Sequence, residues 1–283
     1  SETIIAQIVA EVLGIPIDDV NVINNDTDIC PWDVGVHASR TTFVAGNAAL
    51  GAALKIKSQL LEVAAKLLEE DPASLDIKNG VVFSTKNTEK STSLGKALRK
   101  LHYTLGGKML MAEYFYDPAN ENFDKEFKGN LSVSYAYGTH GVEVEVDKET
   151  GHVKILDYVA AHDVGKAINP LLLEGQIYGG GLQGIGYALG EKMIYVNGEL
   201  KNGNFLDYKI PTVKDVPPVQ AVIVETDEKD GPFGAKGIGE PGLVPTAPAI
   251  ANAIYDAVGI RIKDLPITPE KVLKALKEKE KKG

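Results

Sequence analysis

Glu240 has the sequence surroundings most typical of a catalytic carboxylate in this chain. It stands between Gly239 and Pro241 in the glycine-rich stretch "GAKGIGEPGL". Proline restricts the residue before it to extended backbone, so Pro241 fixes the direction of the Glu240 carboxylate. Gly239, on the other side, imposes no restriction of its own. A fixed and partly buried glutamate is a candidate general base. An exposed loop glutamate is the commoner alternative.

A second candidate site is the polar stretch "GVHASRTT", which precedes a long apolar pattern. The pattern predicts a helix from about Arg40 to Glu70, with Ser39 as its N-cap and Thr41 in its first turn. The unpaired N–H groups and the positive dipole end of such a helix favour a phosphate or another anion. A well-capped helix without a ligand is the alternative.

Residues 178–191, "YGGGLQGIGYALGE", contain the spacing Gly179-x-Gly181-x-x-Gly184 of a dinucleotide-binding fingerprint. That fingerprint requires a strand directly before it and a helix directly after it. Here an Asn-Pro turn precedes the glycines, and a hairpin with an Asn-Gly turn follows them, which disfavours a βαβ unit. An isolated nicotinamide-dinucleotide module is therefore the less favoured reading.

The same stretch favours one helix from about Leu173 to Leu189. Glycine costs about 1 kcal/mol relative to alanine inside a helix, so several of them predict the close approach of another helix or a ligand. The glycines concerned are Gly175, Gly179, Gly186 and Gly190. Gln183 lies among them, and its amide can donate and accept hydrogen bonds at once. Simple helix packing is the alternative.

Composition limits the classes of function. The 283 residues, 44% of them hydrophobic, allow one large domain or two modest ones. A net charge of −9 disfavours nucleic acid or a membrane as partner. No apolar run of about 18 residues and no signal-peptide pattern are present, so we expect a cytoplasmic protein. A single cysteine, Cys30, excludes an iron–sulfur cluster held by this chain alone.

The histidines do not predict a metal site built from side chains. None forms an i, i+4 pair on a predicted helix, and none has a neighbouring cysteine. They are His37, His102, His140, His152 and His162. The sequence also lacks a G-x-S-x-G elbow and a P-loop, so hydrolase and ATPase functions have no support.

Hydrophobic periodicity indicates the elements that position these motifs in the first part of the chain. An amphipathic helix is expected from the first residues to Gly14, then a strand in "DDVNVINND", a hairpin in "LDIKNGVVFS" and a short helix in "TSLGKALRKL". Because the first helix has almost no lead-in, we expect an excised fragment or one subunit of a protein whose preceding half is a separate chain.

The second part of the chain is expected to be richer in strand. Alternating valines from Val142 predict a hairpin that turns at residues 148–151. Strands in "EKMIYVNG" and "VQAVIVETD" follow, then a helix capped by Thr246 and a solvated C-terminal helix. The mixture predicts an α+β fold with mixed sheets and packed helices. Glycines after Leu105 are compatible with two lobes, 1–105 and 106–283.

Four motifs, in this order, resemble the C-terminal molybdopterin-binding half of the xanthine oxidase family of molybdenum hydroxylases. They are "DTDICPWDVGVHASRTTFVAGNAA", "EVEVDKETGHVKILDYVAAHDVGKAINP", "GQIYGGGLQGIGYALGE" and "GPFGAKGIGEPGLVPTAPAIANAIYDAVG". The resemblance extends from about Thr3 to Leu273. It implies that residues 1–283 form one molybdenum cofactor-binding domain, the second of the two molybdopterin-binding halves in this family.

The resemblance implies a cofactor cradle at the start of the long helix. The residues that would line the pterin and its phosphate are His37, Ala38, Ser39, Arg40 and Thr41. Ala38 would lie close to molybdenum, and Gln183 would hydrogen-bond the cofactor near the metal. No side chain of this chain would ligate the metal directly.

The resemblance also implies the chemistry. Glu240 matches the catalytic base of the family, which takes the proton from the water-derived oxygen that is transferred to an N-heterocycle or an aldehyde. A non-catalytic protein that inserts or stores the cofactor is the alternative. The presence of Glu240 argues against it, because a binding protein needs no directed base.

The family implies partners that this chain does not contain. They are a chain with the first molybdopterin-binding half, an iron–sulfur subunit with 2Fe–2S clusters and an FAD subunit. The cofactor would be molybdopterin with molybdenum, either as such or as its cytosine dinucleotide. Without the partner chains and a small-molecule substrate, we expect this chain to be inactive.

Overall fold

The computed structural model describes residues 1–104, 106–119 and 122–281, which fall into two compact units. The first unit contains Ser1–Ser134 and Asp227–Ala235, and the second contains Tyr135–Thr226 and the chain from Lys236 onward. The expected lobe boundary at Leu105 lies outside the described residues, and the division falls instead after Ser134. The glycine-rich motif before Glu240 is therefore shared between the two units.

Two packed helices organise the first unit. Helix α1 spans Glu2–Leu13 and ends at Gly14, whose φ of 59° is a left-handed conformation that glycine adopts without strain. Helix α2 spans Gly46–Leu68 and packs on α1. It ends earlier than Glu70 because Glu69 takes a left-handed backbone, with φ 52°. The predicted opening helix and its stop are confirmed.

A small antiparallel sheet and a third helix complete the core of the first unit. They are β1 (Leu75–Lys78), β2 (Val81–Ser84), β3 (Ser91–Ser93) and α3 (Leu94–Thr104), with strand order β1-β2-β3. Asn79 and Gly80 both have positive φ, 51° and 71°, as the predicted Asn-Gly hairpin requires. Side chains from α2, the sheet and α3 meet in one cluster: Leu60, Ala64, Ala65, Leu75, Ile77, Val82 and Ala97.

The predicted strand in "DDVNVINND" is wrong. Ile17–Asp19 form a short 3₁₀ turn, and residues 20–26, all of them described, take part in no strand. The prediction rested on the alternation of Val20 and Val22 with polar residues, and both valines are only half-buried. An isolated strand leaves its backbone N–H and C=O groups without partners, so alternation alone does not produce one.

The second unit is built on a three-stranded sheet, in which the strand Val153–Asp163 lies between Gly138–Val146 and Val219–Val224. Strands β4 (Gly138–Val146) and β5 (Val153–Asp163) form the antiparallel hairpin that the alternating valines predicted. Helix α4 (Pro170–Leu189) follows, and the short strands β6 (Tyr195–Val196) and β7 (Glu199–Leu200) form the second predicted Asn-Gly hairpin. Strand β8 (Val219–Val224) then pairs in parallel with β5.

Helix α4 therefore lies on the connection between two parallel neighbours, so the prediction against a βαβ unit at this point is wrong. The β6–β7 hairpin lies between α4 and β8 in sequence and hid the relationship. The helix begins three residues earlier than Leu173, because Asn169 accepts the N–H of Leu172 and caps it. Gly179 is about 13 Å from the helix start at Pro170, since each residue advances about 1.5 Å. That position argues against dinucleotide binding, which uses the helix N-terminus.

Two further helices cover the sheet of the second unit. They are α5 (Thr246–Val258) and α6 (Pro269–Glu280), and their side chains share a core with Tyr158 of β5 and Ile177 of α4. The N-cap prediction for Thr246 is wrong, because Pro245 holds that position and the Thr246 side chain is buried. The predicted α+β class is confirmed. Within the described ranges, no helix is both long and apolar enough to cross a membrane.

Candidate functional site

One face of α4 is closed by packing at two glycines. A Cβ added at Gly180 would lie 2.7 Å from the backbone of Gly242, which precedes α5. A Cβ added at Gly184 would collide with the side chain of Thr246. Only glycine therefore allows α5 and the loop before it to approach α4 this closely.

Another face of α4 is exposed and carries Gln183. Gly175, Gly179 and Gln183 are spaced by four residues, so they lie on the same side of the helix, and all three are exposed. Around a Cβ added at Gly175 or Gly179, no heavy atom of the described chain lies within 4 Å. Protein packing explains Gly186, where Pro211 is close, and Gly190 ends the helix. At Gly175 and Gly179, the described chain leaves the helix backbone open.

The Glu240 loop lies directly against α4 through the contact of Gly242 with Gly180. The carbonyl of Glu240 accepts the N–H of Leu243 at 2.9 Å, and the carbonyl of Leu243 accepts the N–H of Thr246 at 3.2 Å. The loop is thus continuous with the first turn of α5. Glu240 itself is exposed, so the partial burial on which its role as a base depended is not supplied by the described residues.

In the first unit, residues His37–Arg40 form a strained turn before the long helix. The N–H of Arg40 donates to the carbonyl of His37 at 3.1 Å. The two central residues, Ala38 and Ser39, have φ of 51° and 54°. A left-handed backbone costs a residue other than glycine about 1–2 kcal/mol. Two in succession are maintained only where the surrounding structure enforces them, and such turns cluster at ligand sites.

The start of the long helix differs from the prediction. Thr41–Ala45 form one turn of π-helix that leads into α2, and Arg40 occupies the N-cap position. The predicted N-cap role of Ser39 is wrong, because Arg40 holds that position and Ser39 lies one residue outside the helix with a left-handed backbone. Gly46 allows this start to pack on Pro232, 2.9 Å from where its Cβ would be. Single π-helical turns are frequent at functional sites, and the sequence did not indicate this one.

Two histidines that the sequence left unconnected meet inside the second unit. The Nε2 atoms of His140 on β4 and His162 on β5 are 2.7 Å apart. Nδ1 of His140 lies 2.6 Å from the hydroxyl of Tyr158, which lies 2.8 Å from Oγ1 of Thr246. The strand register aligns His140 with Ala160, so residues two apart across the hairpin share a face. That register was the missing signal.

Burial keeps both imidazoles neutral near pH 7. It lowers the pKa of His140 to about 4, with a smaller contribution from His162. Burial also lowers the pKa of His162, which is 0% exposed. Nδ1 of His162 is buried and has no hydrogen-bond partner in the described part of the chain. Residues 1–104, 106–119 and 122–281 contain no group of three or more His, Cys, Asp or Glu placed to hold a metal ion.

A buried ion pair anchors the chain four residues before Glu240, at Lys236. Lys236 Nζ lies 2.6 Å from Asp163 Oδ2, with both side chains less than one tenth exposed. Lys236 also donates to the carbonyl of Tyr135 at 2.8 Å. Burial alone would raise the pKa of Asp163, but hydrogen bonds from Lys236, Thr226 and Gly165 outweigh it, so that pKa lies below its ordinary value.

Comparison with known proteins matches this chain to a cofactor-binding family. A sequence model described as the molybdopterin cofactor-binding domain matches residues 1–217. The chain is 36% identical over 283 residues to the 6-hydroxypseudooxynicotine dehydrogenase complex subunit gamma of Paenarthrobacter nicotinovorans, over 96% of this chain and 34% of that protein. It is 37% identical over 285 residues to the xanthine dehydrogenase molybdenum-binding subunit of Escherichia coli O157:H7, over 96% of this chain and 35% of that protein.

A solved structure agrees with these relatives. Quinoline 2-oxidoreductase from Pseudomonas putida 86 matches with a TM-score of 0.86 and 32% identity, over 98% of this chain and 35% of that chain. The chain spans about a third of the length of the curated relatives it matches. The resemblance inferred from the four motifs is confirmed, and the chain belongs to the molybdopterin cofactor-binding domain family of the xanthine dehydrogenase type.

Proposed function

We propose that this chain is the molybdopterin-binding part or subunit of a molybdenum hydroxylase. The enzyme would hydroxylate an N-heterocycle or an aldehyde with water-derived oxygen. The observation that carries the proposal is the contact of Gly242 with Gly180, which sets the Glu240 loop against the helix of Gln183. A carboxylate and an amide on adjacent segments can move a proton and hold a ligand at one place.

The residues on α4 fit a flat ligand that hydrogen-bonds along its edge. Gln183 stands beside Gly175 and Gly179, where bare helix backbone leaves room for a close approach. The Gln183 amide can donate to one atom of such a ligand and accept from another. When bound, the molybdenum cofactor supplies the metal centre that activates the water-derived oxygen and takes up the two electrons of substrate oxidation.

The strained turn in the first unit fits the pterin phosphate. The residues that we propose for this cradle are His37, Ala38, Ser39, Arg40 and Thr41. Arg40 brings a positive charge to the start of a helix, where N–H groups and the helix dipole also favour an anion. Ala38 would lie near molybdenum, as the resemblance implies. It would not ligate the metal, because its side chain is a methyl group.

Glu240 would act as the general base that removes a proton from the oxygen transferred to substrate. Its position before Pro241 limits the directions in which the carboxylate points. Because Glu240 is exposed in this chain, the water-excluding wall around it would come from the chain with the first molybdopterin-binding half. That dependence accounts for our expectation that this chain alone is inactive.

The partners that we propose follow from the resemblance to the family. They are a chain with the first molybdopterin-binding half and the iron–sulfur and FAD subunits that would carry the electrons away. The single cysteine of this chain, Cys30, is too few for a 2Fe–2S cluster, which needs four ligands. Both curated relatives named above are described as subunits, which supports an assembly of several chains. The cofactor would be molybdopterin or its cytosine dinucleotide.

The relatives narrow the substrate class. Xanthine and quinoline, which appear in the names of two of them, are N-heterocycles with an electron-poor carbon beside nitrogen. A water-derived oxygen attacks such a carbon, and the same electronic requirement is met by an aldehyde carbonyl. We therefore propose hypoxanthine, nicotinate and an aldehyde as the first substrates to test.

Replacement of Glu240 tests the proposal in the complete assembly. Glu240→Gln removes the basic oxygen but keeps the shape of the side chain. We expect dye-coupled turnover to fall by at least 10²-fold while molybdenum per chain stays at the wild-type level. Glu143→Gln, an exposed change on β4, is the matched control and should leave both quantities unchanged.

Three outcomes would contradict the proposal. Near-normal turnover of the Glu240→Gln enzyme would exclude Glu240 as the base. Bound molybdenum without turnover in the complete wild-type assembly would favour a protein that inserts or stores the cofactor. Saturable binding of a nicotinamide dinucleotide to the chain, without molybdopterin, would favour the dinucleotide-binding alternative.

A further inference from the structure

The segment that carries Glu240 is tied to β5 at both of its ends. At its start, Lys236 pairs with Asp163, and the N–H of Lys236 donates to the carbonyl of Val164 at 2.8 Å. At its end, Oγ1 of Thr246 lies 2.8 Å from the hydroxyl of Tyr158. The side chains of both attachments are buried, so solvent does not compete for these contacts between the loop and the sheet.

The attachment at Thr246 is the last link in a chain of four polar side chains. The chain runs from His162 through His140 and Tyr158 to Thr246, with separations of 2.7, 2.6 and 2.8 Å. This chain of side chains runs from His162 on β5 to His140 on β4. It then returns to Tyr158 on β5 and ends at Thr246, the first residue of α5.

The proton positions along this chain follow from its unpartnered end. Nδ1 of His162 is buried without a partner among the described residues, and an unpaired buried acceptor is less costly than an unpaired buried N–H. The proton of His162 therefore sits on Nε2 and is donated to Nε2 of His140. His140 then donates through Nδ1 to the hydroxyl of Tyr158, which donates to Thr246.

A further proton on the pair is costly, because the ring nitrogen left to accept it is Nδ1 of His162. A proton there would add a charge, and an N–H without a partner among the described residues, in a fully buried place. The groups that face the pair are Tyr158 from β5 and Thr246 from α5, neither of which carries charge near neutral pH. Asp163 follows His162 on β5, points to the other face of the strand and is neutralised by Lys236.

We propose that His140, Tyr158 and Thr246 are positioning residues that latch the Glu240 loop to the sheet, and that acid opens this latch. The latch reaches Glu240 through the backbone, because the N–H of Thr246 bonds to Leu243 and the N–H of Leu243 bonds to Glu240. The latch itself is a property of the fold. Its effect on catalysis rests on the proposed function of Glu240 as the base.

Amide hydrogen exchange of the full chain, read by mass spectrometry, tests the latch without any cofactor. Tyr158→Phe removes the central hydroxyl and keeps the ring. We expect the amides of Leu243 and Thr246 to exchange about fivefold faster, because the buried hydrogen bond between Tyr158 and Thr246 is lost. Tyr255→Phe, on the partly exposed Tyr255 of the same helix α5, is the matched control and should leave their exchange within about twofold of wild type.

A second pair of variants separates positioning from simple packing. Thr246→Val keeps the shape of the side chain against Gly184 but removes the hydroxyl, so it should accelerate exchange as Tyr158→Phe does. Thr246→Ser keeps the hydroxyl and should retain the protection of the loop. In wild type, the protection of these amides, corrected for intrinsic exchange, should also fall as the pH is lowered from about 6.5 towards 4. In Tyr158→Phe, their protection should be low throughout this range and should not change with pH.

The outcomes distinguish the latch from the proposed function. Unchanged loop protection in Tyr158→Phe, equal protection in Thr246→Val and Thr246→Ser, or no pH dependence in wild type would each overturn the latch. Acceleration shared equally by the amides of α6 would mean general destabilisation and would overturn it as well. If the latch variants behave as expected but the Glu240→Gln assembly keeps its turnover, the latch stands and the proposed base is wrong.

Discussion

Thr246 occupies the space that a side chain on Gly184 would need, and its hydroxyl simultaneously lies 2.8 Å from Tyr158. The backbone of α4 and the first residue of α5 are therefore in direct contact. The loop that carries Glu240 ends at Thr246, and Gln183 is the neighbour of Gly184. One small-residue contact thus sets the spacing between the two segments to which we assign chemistry.

Gly184→Ala should destabilise the second unit. The added methyl group would collide with Thr246, and overpacking of a buried contact typically costs about 1–3 kcal/mol. We expect a lower free energy of unfolding in urea denaturation of the full chain. An unchanged or higher value would show that α4 and α5 can separate without cost at this point.

Gly179→Ala should have the opposite effect on stability and a separate effect on the cofactor. The position is helical and open, so alanine should raise the free energy of unfolding by about 1 kcal/mol. If a ligand lies on this backbone, molybdenum per chain in the assembly should fall. Gly95→Ala on α3, also open, is the control that should leave the molybdenum content unchanged. Full molybdenum content in Gly179→Ala would contradict the proposed approach of the cofactor to the exposed face of α4.

Stability should fall in acid before the carboxylates titrate. The pKa of His140 is lowered to about 4 and that of His162 is also lowered, so the folded state prefers both rings neutral. Above pH 6.5 both rings are neutral in the folded and in the unfolded chain, so they do not make the free energy of unfolding depend on pH. Between pH 6.5 and 4 the unfolded chain binds protons that the folded network refuses, and the free energy of unfolding decreases.

Urea denaturation at about pH 7 and about pH 5 measures this decrease. His140→Gln should be less sensitive to the change of pH, since it removes one of the two depressed groups. The exposed His152→Gln is the matched control and should keep the wild-type pH dependence. A wild-type stability that is equal at both pH values would be inconsistent with the neutral histidine pair.

Lys236→Met should be among the most destabilising single changes on the second unit. It leaves the buried Asp163 carboxylate without its cation, a situation that costs about 3–5 kcal/mol. The exposed pair of Lys166 with Glu225, 3.0 Å apart, offers a control. Lys166→Met should cost less than about 1 kcal/mol in the same urea experiment, because solvent screens that pair. Equal losses for the two variants would contradict the role of the buried ion pair.

Local chemistry in the sequence was sufficient for the Asn-Gly turns and for most of the regular elements. Asn79-Gly80 and the glycine at position 14 adopt the left-handed backbone that their residue types favour, because the cause is confined to neighbouring atoms. The strand at residues 18–26 failed for the opposite reason. Its alternation was correct, but a strand also needs a partner, which no local pattern provides.

The candidate site shows the same limit. Motif order alone indicated the family and directed attention to Glu240 and Gln183, because residue types and their spacing are contained in the sequence itself. Which glycine of α4 faces the loop, and that His140 meets His162, depended on strand register and on helix rotation over tens of residues. Such contacts join distant segments, so their energy is decided by how the whole unit packs. Only the tertiary structure determined them.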